Sequence, residues 1–236
     1  MWYKKLTGGH TKNRSSILVI GDTHLPFERP DYLNFCIEIY DRCKCSTVVH
    51  IGDLVDNHAI SYHDHDPDGK SPADEMAEVD KHLKRWYNAF PGELYLCLGN
   101  HDRLIHRKAL TFGLPSRAFK TFREIWNFPD NWKEDFSWEF FGVKFMHGTG
   151  LSGDRAHVKA AERNRQPSVV GHTHHTLGGE YLVSEKDRIF GVNCGCGIDR
   201  KTYAFAYGRE LLKKPALGCA IITDKGRFWQ CFAMEI

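Results

Sequence analysis

Three histidines fall within four consecutive positions of the segment VVGHTHHT, at the end of a short apolar stretch. His172 and His174 lie two residues apart, and His175 follows directly. Imidazole nitrogens bind divalent ions such as Mn²⁺, Fe²⁺ and Zn²⁺, and they exchange protons near neutral pH. A single histidine is more often an ordinary surface or core residue, so a metal site here requires further ligands elsewhere in the chain.

Similar polar groups follow four other apolar stretches of the chain: DTH (22–24), GDLVDN (52–57), GNHD (99–102) and HG (147–148). Most of these groups contain or follow a glycine, which permits a tight turn and close approach of the backbone to an ion. Each group alone is weak evidence, because Asp and Asn are also common in turns. Together they offer more oxygen and nitrogen ligands than one tetrahedral zinc ion needs, so two ions that share a carboxylate fit better.

The elements that would position these groups alternate between strands and helices. The apolar runs SILVIGD, STVVHIGD and GELYLCLGN predict three buried strands. The segments PDYLNFCIEIYDRC and SPADEMAEVDKHLKRWYNAF predict helices between them, the second with Ser71 as its N-cap. Binding sites in α/β proteins form at the carboxyl ends of the strands, so we expect the polar groups to meet there.

The second half of the chain is richer in strands. A helical pattern over 102–128 is broken by GLPS, and FSWEFFGVKFMHG predicts a hairpin that turns at Phe141–Gly142. DRAHVKAAERNR predicts a helix before the strand PSVV, and DRIFGVNCG, ALGCAIITD and RFWQCFAMEI predict antiparallel strands, the last two joined by a turn at TDKGR. A βαβαβ half followed by a mostly β half predicts an α/β protein with a mixed or double sheet.

Composition excludes several classes of protein. The 236 residues suit one domain over 1–236, and 42% hydrophobic with 26% charged residues is ordinary for a soluble protein. A net charge of +2 argues against a protein that coats polyanions, although a local basic patch remains compatible with it. We find neither a secretory leader nor a membrane-length apolar run, and therefore expect a cytoplasmic protein without a membrane partner.

The eight cysteines include two C-x-C pairs, Cys43 with Cys45 and Cys194 with Cys196. A four-thiolate zinc site is one interpretation, and buried free thiols are the other. Zinc knuckles normally use C-x₂-C spacing, so the spacing favours buried thiols.

The five polar groups, in this order, resemble the signature of the calcineurin-like metallophosphoesterase superfamily, in particular its small bacterial and phage phosphoesterases. The match runs from Asp22 to His174 and contains D-x-H, G-D-x-x-D, G-N-H-D, H-G and G-H-T-H. The resemblance implies a four-layer α/β/β/α sandwich with two mixed β-sheets.

The resemblance also implies a role for most of these residues. The expected metal ligands are Asp22, His24 and His174 for one ion, Asn100, His147 and His172 for the other, and Asp53 as the bridge. Manganese is the expected metal, with iron, zinc or nickel as alternatives. A hydroxide held between the ions would attack phosphorus, His101 would protonate the leaving oxygen, and Asp56 would orient the His101 ring. Asp102 is expected to hold its loop together, and His175 receives no role.

One departure from the family pattern concerns the phosphate. Protein phosphatases of the superfamily follow G-D-x-V-D with Arg-Gly, and that arginine grips phosphate, whereas this chain has Asn57 and His58. The departure disfavours a phosphoprotein substrate. The candidate phosphate contacts are Asn57, His58, Arg103 and Arg155, each of which is otherwise an ordinary solvated side chain.

Residues 102–123 carry six basic and three aromatic side chains directly after the G-N-H-D group. They predict either a face that guides a nucleotide or nucleic acid, or amphipathic helices with a solvated basic face, and the second interpretation is favoured. The loop YHDHDPDG (62–69) is expected to line the rim of the pocket, with a further metal site as the alternative. Arg200 or Lys201 could also reach the site.

The leading prediction is a dinuclear-metal-dependent phosphohydrolase, with phosphodiesters of nucleotides or nucleic acid ahead of phosphomonoesters. The alternatives are a non-catalytic metal-binding scaffold of the same fold, a phosphomonoesterase or protein phosphatase, and a structural zinc or nucleic-acid-binding module. The presence of His101 and every ligand weighs against the scaffold. The missing C-x₂-C pairs weigh against the zinc module.

Overall fold

The structure is a computed structural model that describes residues 16–62, 69–202 and 212–235. Its first-half elements are β1 (Ile17–Ile20), α1 (Tyr32–Arg42), β2 (Thr47–His50), α2 (Pro72–Tyr87), β3 (Leu94–Cys97), α3 (Leu104–Thr111), α4 (Phe122–Trp126) and β4 (Trp132–Asp135). Its second-half elements are β5 (Ser137–Phe140), β6 (Val143–Met146), α5 (Ala156–Asn164), β7 (Ser168–Val170), β8 (Leu177–Val183), β9 (Arg188–Cys194), β10 (Gly218–Thr223) and β11 (Phe228–Ala233). Two short 3-10 helices span His58–Ile60 and Ser116–Ala118.

The strands form two sheets, and both are mixed. The first sheet has the order β11-β10-β1-β2-β3-β4, in which β1 to β4 are parallel. Strand β10 is antiparallel to both of its neighbours, β1 and β11. The second has the order β5-β6-β7-β9-β8, in which β6, β7 and β9 are parallel and the outer strands are antiparallel. The prediction of two mixed sheets is confirmed.

Alternating side chains of β1 show how the layers pack. Ile17 and Val19 join an apolar core with residues of β6, β7 and β9, so the two sheets face each other. Leu18 and Ile20 point to the opposite side, where they join a second core with α1, α2 and α4. Helix α5 packs against β7 and β9. These layers form the α/β/β/α sandwich that the sequence predicts.

Local sequence signals fix several element boundaries. The Ser71 side chain accepts a hydrogen bond from the backbone N–H of Asp74 at 3.2 Å, and Pro72 opens α2, so the predicted N-cap is confirmed. Phe141 and Gly142 both have positive φ, which is the conformation a type I′ turn needs between β5 and β6.

Two strands were not predicted, β4 and β8. The β4 sequence WKED buries only its tryptophan, and β8 begins with LGG, whose two glycines disfavour a strand. Both lie at the edge of a sheet, where few side chains are buried and the hydrophobic pattern is weak.

The cysteines behave as buried thiols. All eight are free, and six are fully buried. Among the described residues, no cysteine belongs to a cluster that could hold a metal ion. No helix in the described ranges carries an apolar stretch long enough to cross a bilayer. The single domain over 1–236 stays a prediction.

Candidate metal centre

Parallel pairing brings the polar groups to one edge of the sandwich. Strands β1, β2 and β3 are in register, with Ile20 opposite His50 and His50 opposite Leu96, so the loops that follow them begin side by side. Strands β6 and β7 are also parallel, and they deliver His147 and His172 from the second sheet. Ligand-type side chains from both sheets therefore line this edge of the sandwich.

A first cluster joins Asp22, His24, Asp53 and His174. The Nε2 atom of His174 lies 3.0 Å from Asp22 Oδ2 and 3.2 Å from His24 Nε2. The Nε2 atom of His24 lies 3.7 Å from Asp53 Oδ2. One atom of each residue lies within 4.8 Å of the others, so these four side chains could hold one ion.

A second cluster shares Asp53 with the first. The Nε2 atom of His147 lies 3.0 Å from Asp53 Oδ2, 3.2 Å from His172 Nδ1 and 3.1 Å from Asn100 Oδ1. The same oxygen of Asp53 therefore belongs to both clusters. All seven residues predicted as ligands lie in these two clusters.

The side chains in these clusters are arranged as ligands of divalent ions and not as hydrogen-bond partners of one another. The ring nitrogens of His24 and His174 face each other at 3.2 Å, as do those of His147 and His172. Two lone pairs at this distance repel unless a proton or a cation lies between them. Asp22 Oδ1 is buried and has no hydrogen-bond partner in the described part of the chain. Oxygen and imidazole ligands suit Mn²⁺, Fe²⁺ or Zn²⁺.

Hydrogen bonds behind the rings select the nitrogen that faces each cluster. Nδ1 of His24 lies 2.5 Å from Asp56 Oδ1, and Nδ1 of His147 lies 3.2 Å from the carbonyl oxygen of Ile51. Each Nδ1–H thus donates outward, which leaves Nε2 for an ion.

Electrostatics favour the protonation state that a metal ligand needs at Asp22, Asp53, His24 and His172 and oppose it at His147. Burial opposes ionisation of Asp22 and Asp53, but the neighbouring histidines lower the pKa of both carboxyl groups. Burial lowers the pKa of His24 and His172 and keeps them neutral. Burial also acts against protonation of His147, but Asp53 and Asp22 outweigh it and raise its pKa to about 9. Binding of an ion would therefore release a proton from His147.

The backbone of the ligand loops is strained. His24, Asp53 and His172 are non-glycine residues with left-handed φ values of 50°, 46° and 65°. Such conformations cost about 1–3 kcal/mol each and concentrate at functional sites. Hydrogen bonds hold them in place: the carbonyl oxygen of Asp53 accepts from the backbone N–H of His24 at 2.9 Å, and Asp22 Oδ2 accepts from that of His172 at 2.9 Å.

Two glycines make room for the carboxylates. A Cβ atom at Gly99 would lie 2.1 Å from Asp53 Oδ1, and one at Gly171 would lie 2.1 Å from Asp22 Oδ1. Neither position can carry a side chain unless a ligand moves.

The contacts of Asp56 extend beyond the predicted one. Its carboxylate oxygen Oδ1 lies 2.5 Å from His24 Nδ1 and 3.2 Å from His101 Nδ1, and its backbone carbonyl oxygen lies 2.7 Å from the same His101 nitrogen. The carboxylate and the backbone carbonyl of Asp56 therefore both hold the His101 ring, and the carboxylate also orients His24. Burial lowers the pKa of His101, but Asp53 and Asp56 outweigh this effect and raise it to about 10. The ring is thus protonated at neutral pH.

Asp102 ties two of the loops together, as expected. It accepts hydrogen bonds from the backbone N–H groups of Gly99 at 2.8 Å and Val55 at 3.2 Å. The Asn57 side chain donates a hydrogen bond to the carbonyl oxygen of His101 at 3.0 Å. This candidate phosphate contact is therefore engaged in a hydrogen bond within the protein.

The other candidate phosphate contacts interact with residues outside the two clusters. Arg155 donates to both carboxylate oxygens of Glu180 at 3.0 and 2.7 Å, and Arg103 stacks on the Phe136 ring with Cζ 4.8 Å from its centroid. His58 is buried beside Asp56, with Nδ1 3.8 Å from Oδ2.

Other residues from the sequence analysis fall at the margin. His175 Nε2 lies 3.0 Å from Asp154 Oδ1 on the surface. Arg200 is close enough to the buried Cys196 to lower the pKa of its thiol, although burial dominates and raises that pKa to about 12. Residues 63–68 of the predicted rim loop lie outside the described residues.

Sequence reasoning missed His50, which supports the site from β2. It is fully buried, with Nε2 3.2 Å from Thr23 Oγ1, while Nδ1 accepts from the backbone N–H of Gly52 at 3.2 Å. Burial lowers its pKa to about 3, so the ring is neutral. A histidine inside the apolar run STVVHIGD was the available signal.

Glu75 was also missed, and it holds the loop that follows Asp56. Its two carboxylate oxygens accept from the backbone N–H groups of His58 and Ala59, each at 2.7 Å. We expect Glu75→Gln to lower the free energy of unfolding by about 1–3 kcal/mol, because the new NH₂ group faces an N–H donor in a buried position. Urea unfolding of the full chain measures this loss.

Glu78→Gln is the matched control for Glu75→Gln. Glu78 lies on the same helix and forms a partly exposed ion pair with Lys70, which is worth about 0–1 kcal/mol. Equal losses in the two variants would contradict the assigned role of Glu75.

Comparison with protein-family models gives a match over most of the chain. The model of the calcineurin-like phosphoesterase family matches residues 15–200. No curated protein sequence gives a significant match. Among solved structures, Vacuolar Protein Sorting 29 from Cryptosporidium parvum is similar, with 14% identity, coverage of 94% of this chain and 92% of that chain, and a TM-score of 0.49.

Two further solved structures are similar at comparable identity. The phosphoesterase YfcE from E. coli has 14% identity, coverage of 88% and 87%, and a TM-score of 0.42. The nuclease MPE from Pseudomonas putida has 16% identity, coverage of 92% and 87%, and a TM-score of 0.36. The family match alone spans well over half of the chain and contains every residue of the two clusters, and the chain therefore belongs to the calcineurin-like phosphoesterase family.

Proposed function

We propose that the protein is a phosphohydrolase that uses two divalent metal ions and cleaves phosphodiester bonds in preference to phosphomonoesters. The observation that carries the proposal is the position of Asp53 Oδ2, which belongs to both ligand clusters. One carboxylate shared in this way suits two ions about 3.5–4 Å apart. Manganese is the first candidate, because oxygen ligands accompany the histidines in each cluster.

The ligand residues fall into two sets, one for each ion. Asp22, His24 and His174 would hold one ion, and Asn100, His147 and His172 the other. Bound there, the ions would supply Lewis acidity toward phosphoryl oxygens and a nucleophilic water at neutral pH. Asn100, His172 and His174 are partly exposed, whereas the other four ligands are buried, so substrate would reach the centre from the side of these three residues.

His101 would serve as the general acid. Its Nδ1–H is held by the carbonyl oxygen of Asp56, which leaves the second ring N–H free to protonate a leaving oxygen. The ring is half-buried beside the clusters, and its centroid lies 4.6 Å from that of His24.

The charges around the centre support the preference for diesters. A phosphomonoester carries up to two negative charges at neutral pH and a diester only one. In the described ranges, no ion pair joins an arginine or lysine side chain to a ligand of either cluster; Arg155 is paired with Glu180, and Arg103 stacks on Phe136. Apart from protonated histidine rings, the described residues therefore offer no cation to match the second charge of a monoester.

Hydrolysis of two nitrophenyl substrates tests this preference. With Mn²⁺ added, we expect kcat/KM for bis(p-nitrophenyl) phosphate to exceed that for p-nitrophenyl phosphate, and EDTA to abolish both activities. A higher value for the monoester would contradict the diester preference. Two bound ions without turnover of either substrate would favour a non-catalytic scaffold of the same fold.

A further inference from the structure

Two exposed aromatic rings are each in contact with cationic side chains of the segment that follows His101. Tyr62 is 56% exposed, with Lys108 Nζ 4.3 Å and Arg107 Cζ 5.5 Å from its ring centroid. Phe136 is 58% exposed, with Arg103 Cζ 4.8 Å from its centroid. We name these five residues the aromatic–basic surface.

This surface is continuous with the loops of the proposed acid. Arg103 follows His101 by two positions. Tyr62 comes directly after the 3-10 helix and Ser61, which follow the Asp56 loop. Lys108 Nζ donates to the carbonyl oxygen of Ser61 at 3.1 Å and joins the two segments. A molecule bound across the surface would therefore extend toward His101.

The three cations of the surface are not neutralised by any carboxylate of the described ranges. Within the described ranges, Arg103, Arg107 and Lys108 form no ion pair with a carboxylate and instead contact rings or a backbone carbonyl. Arg123, from the same basic segment, differs because its guanidinium group is bound to Glu134. The surface therefore carries positive charge that no described carboxylate neutralises.

The buried aromatic residue Phe122 and the rings that contact the cations come from different segments. Phe122 is buried in the core between α4 and the first sheet, as the helical interpretation of the sequence predicts. Tyr62 and Phe136 come from outside that segment and place their rings beside its cations. Core formation explains Phe122, but it does not explain two half-exposed rings that are both in contact with cations.

Exposed rings next to guanidinium and ammonium groups are the chemistry that binds unpaired bases together with their phosphates. Aromatic rings stack on the faces of bases, and the adjacent cations hold the backbone. In a duplex the base faces are already stacked on one another, so such a surface prefers a single strand.

We propose that the aromatic–basic surface binds single-stranded nucleic acid and directs its phosphodiester backbone to the metal centre. This proposal rests on the proposed function, because the bound strand is the diester that the centre would cleave. It assigns a substrate class to that activity and separates base stacking by Tyr62 and Phe136 from phosphate binding by the three cations.

The test measures binding of a fluorescein-labelled oligothymidylate with phosphorothioate linkages, which keep their charge and hydrolyse slowly. The full chain is loaded with Mn²⁺, and fluorescence anisotropy gives Kd at several salt concentrations. The expected result is tighter binding of the single strand than of the matching duplex. Absence of binding at low salt would overturn the proposal.

Two kinds of variant separate stacking from charge. Arg107→Gln/Lys108→Gln should reduce the slope of log K against log salt by about 1.4, because each lost phosphate contact of a single strand contributes about 0.7. Tyr62→Ala should weaken binding about fivefold or more without changing that slope, and Tyr62→Phe should restore the affinity. Unchanged affinity in Tyr62→Ala, together with equal binding of the duplex, would overturn the proposal.

Lys81→Gln/Lys84→Gln is the matched control, because it removes the same charge from exposed positions near the C-terminal end of α2. An equal slope change in this control would show that net charge alone governs binding, which overturns the proposal. Turnover of bis(p-nitrophenyl) phosphate reports separately on the proposed function. Loss of that turnover with intact strand binding rejects the enzyme and leaves the surface in place, and the reverse pattern rejects the surface alone.

Discussion

His101→Ala is expected to reduce kcat on diesters with poor leaving groups by about 10²- to 10⁴-fold, the usual contribution of a positioned general acid. The ring lies edge to face against His24 but supplies no ligand atom to either of the two clusters, and its Nδ1 bonds to the Asp56 carbonyl oxygen. Both metal ions should therefore remain bound, which elemental analysis after gel filtration would confirm. On nitrophenyl esters the loss should be much smaller, because nitrophenolate leaves without a proton.

The pH profile gives this prediction a second readout. An acid that must be protonated loses activity as pH rises through its pKa, and the carboxylates of Asp53 and Asp56 raise that of His101. The fall of kcat at high pH should disappear in His101→Ala. His106→Ala is the matched control, because His106 lies on α3, bonds to the carbonyl oxygen of Lys120, contacts the Phe119 ring, and belongs to neither cluster. Equal turnover of poor leaving groups in His101→Ala and wild type would reject the acid role.

Asp53→Asn is expected to have the largest effect on metal binding. The amide keeps the shape of the side chain and its bond from the backbone N–H of His101, but it removes the charge that both clusters share. Changes in residues behind metal ligands cost about 10- to 100-fold in affinity or activity, so loss of a shared ligand should cost at least about 100-fold. The bound metal should fall below two ions per chain.

Thermal unfolding checks Asp53→Asn independently of activity. Ions that bind only the folded protein stabilise it, by about 2.7 kcal/mol at a concentration 100 times Kd. Mn²⁺ should therefore raise the Tm of the wild type more than that of Asp53→Asn. Asp80→Asn, on the exposed face of α2, should respond like the wild type. Two ions retained by Asp53→Asn would contradict the shared-ligand assignment.

The metal-ligand set could be predicted from sequence because every ligand lies within four residues after the end of a strand, in an order that matches the family pattern. Asp22, Asp53 and Asn100 come two or three residues after β1, β2 and β3, and parallel strands in register place such positions side by side. Glycine before most of these groups was visible as well. Only the tertiary structure shows why glycine is needed, because Gly99 and Gly171 leave room for carboxylates from distant loops.

Contacts between segments far apart in the chain could not be predicted in this way. Arg155 was a candidate phosphate contact from its type alone, and its pairing with Glu180 depends on how α5 packs beside β8. Glu75 looks like any acidic residue in the first turn of a helix, yet its carboxylate holds the loop of His58. Asp56 was linked to His101 by family pattern, and only packing shows that the same carboxylate oxygen also contacts His24.

The sequence by itself determined the order of strands and polar groups, the α2 cap at Ser71, the hairpin turn at Phe141–Gly142 and the family. These features depend on neighbours along the chain, whose effects are local and periodic. Only the tertiary structure decided which nitrogen of each histidine faces a metal, which cations remain unpaired and which rings stay exposed. Those outcomes depend on distances between residues tens of positions apart, which side-chain packing sets and local pattern does not encode.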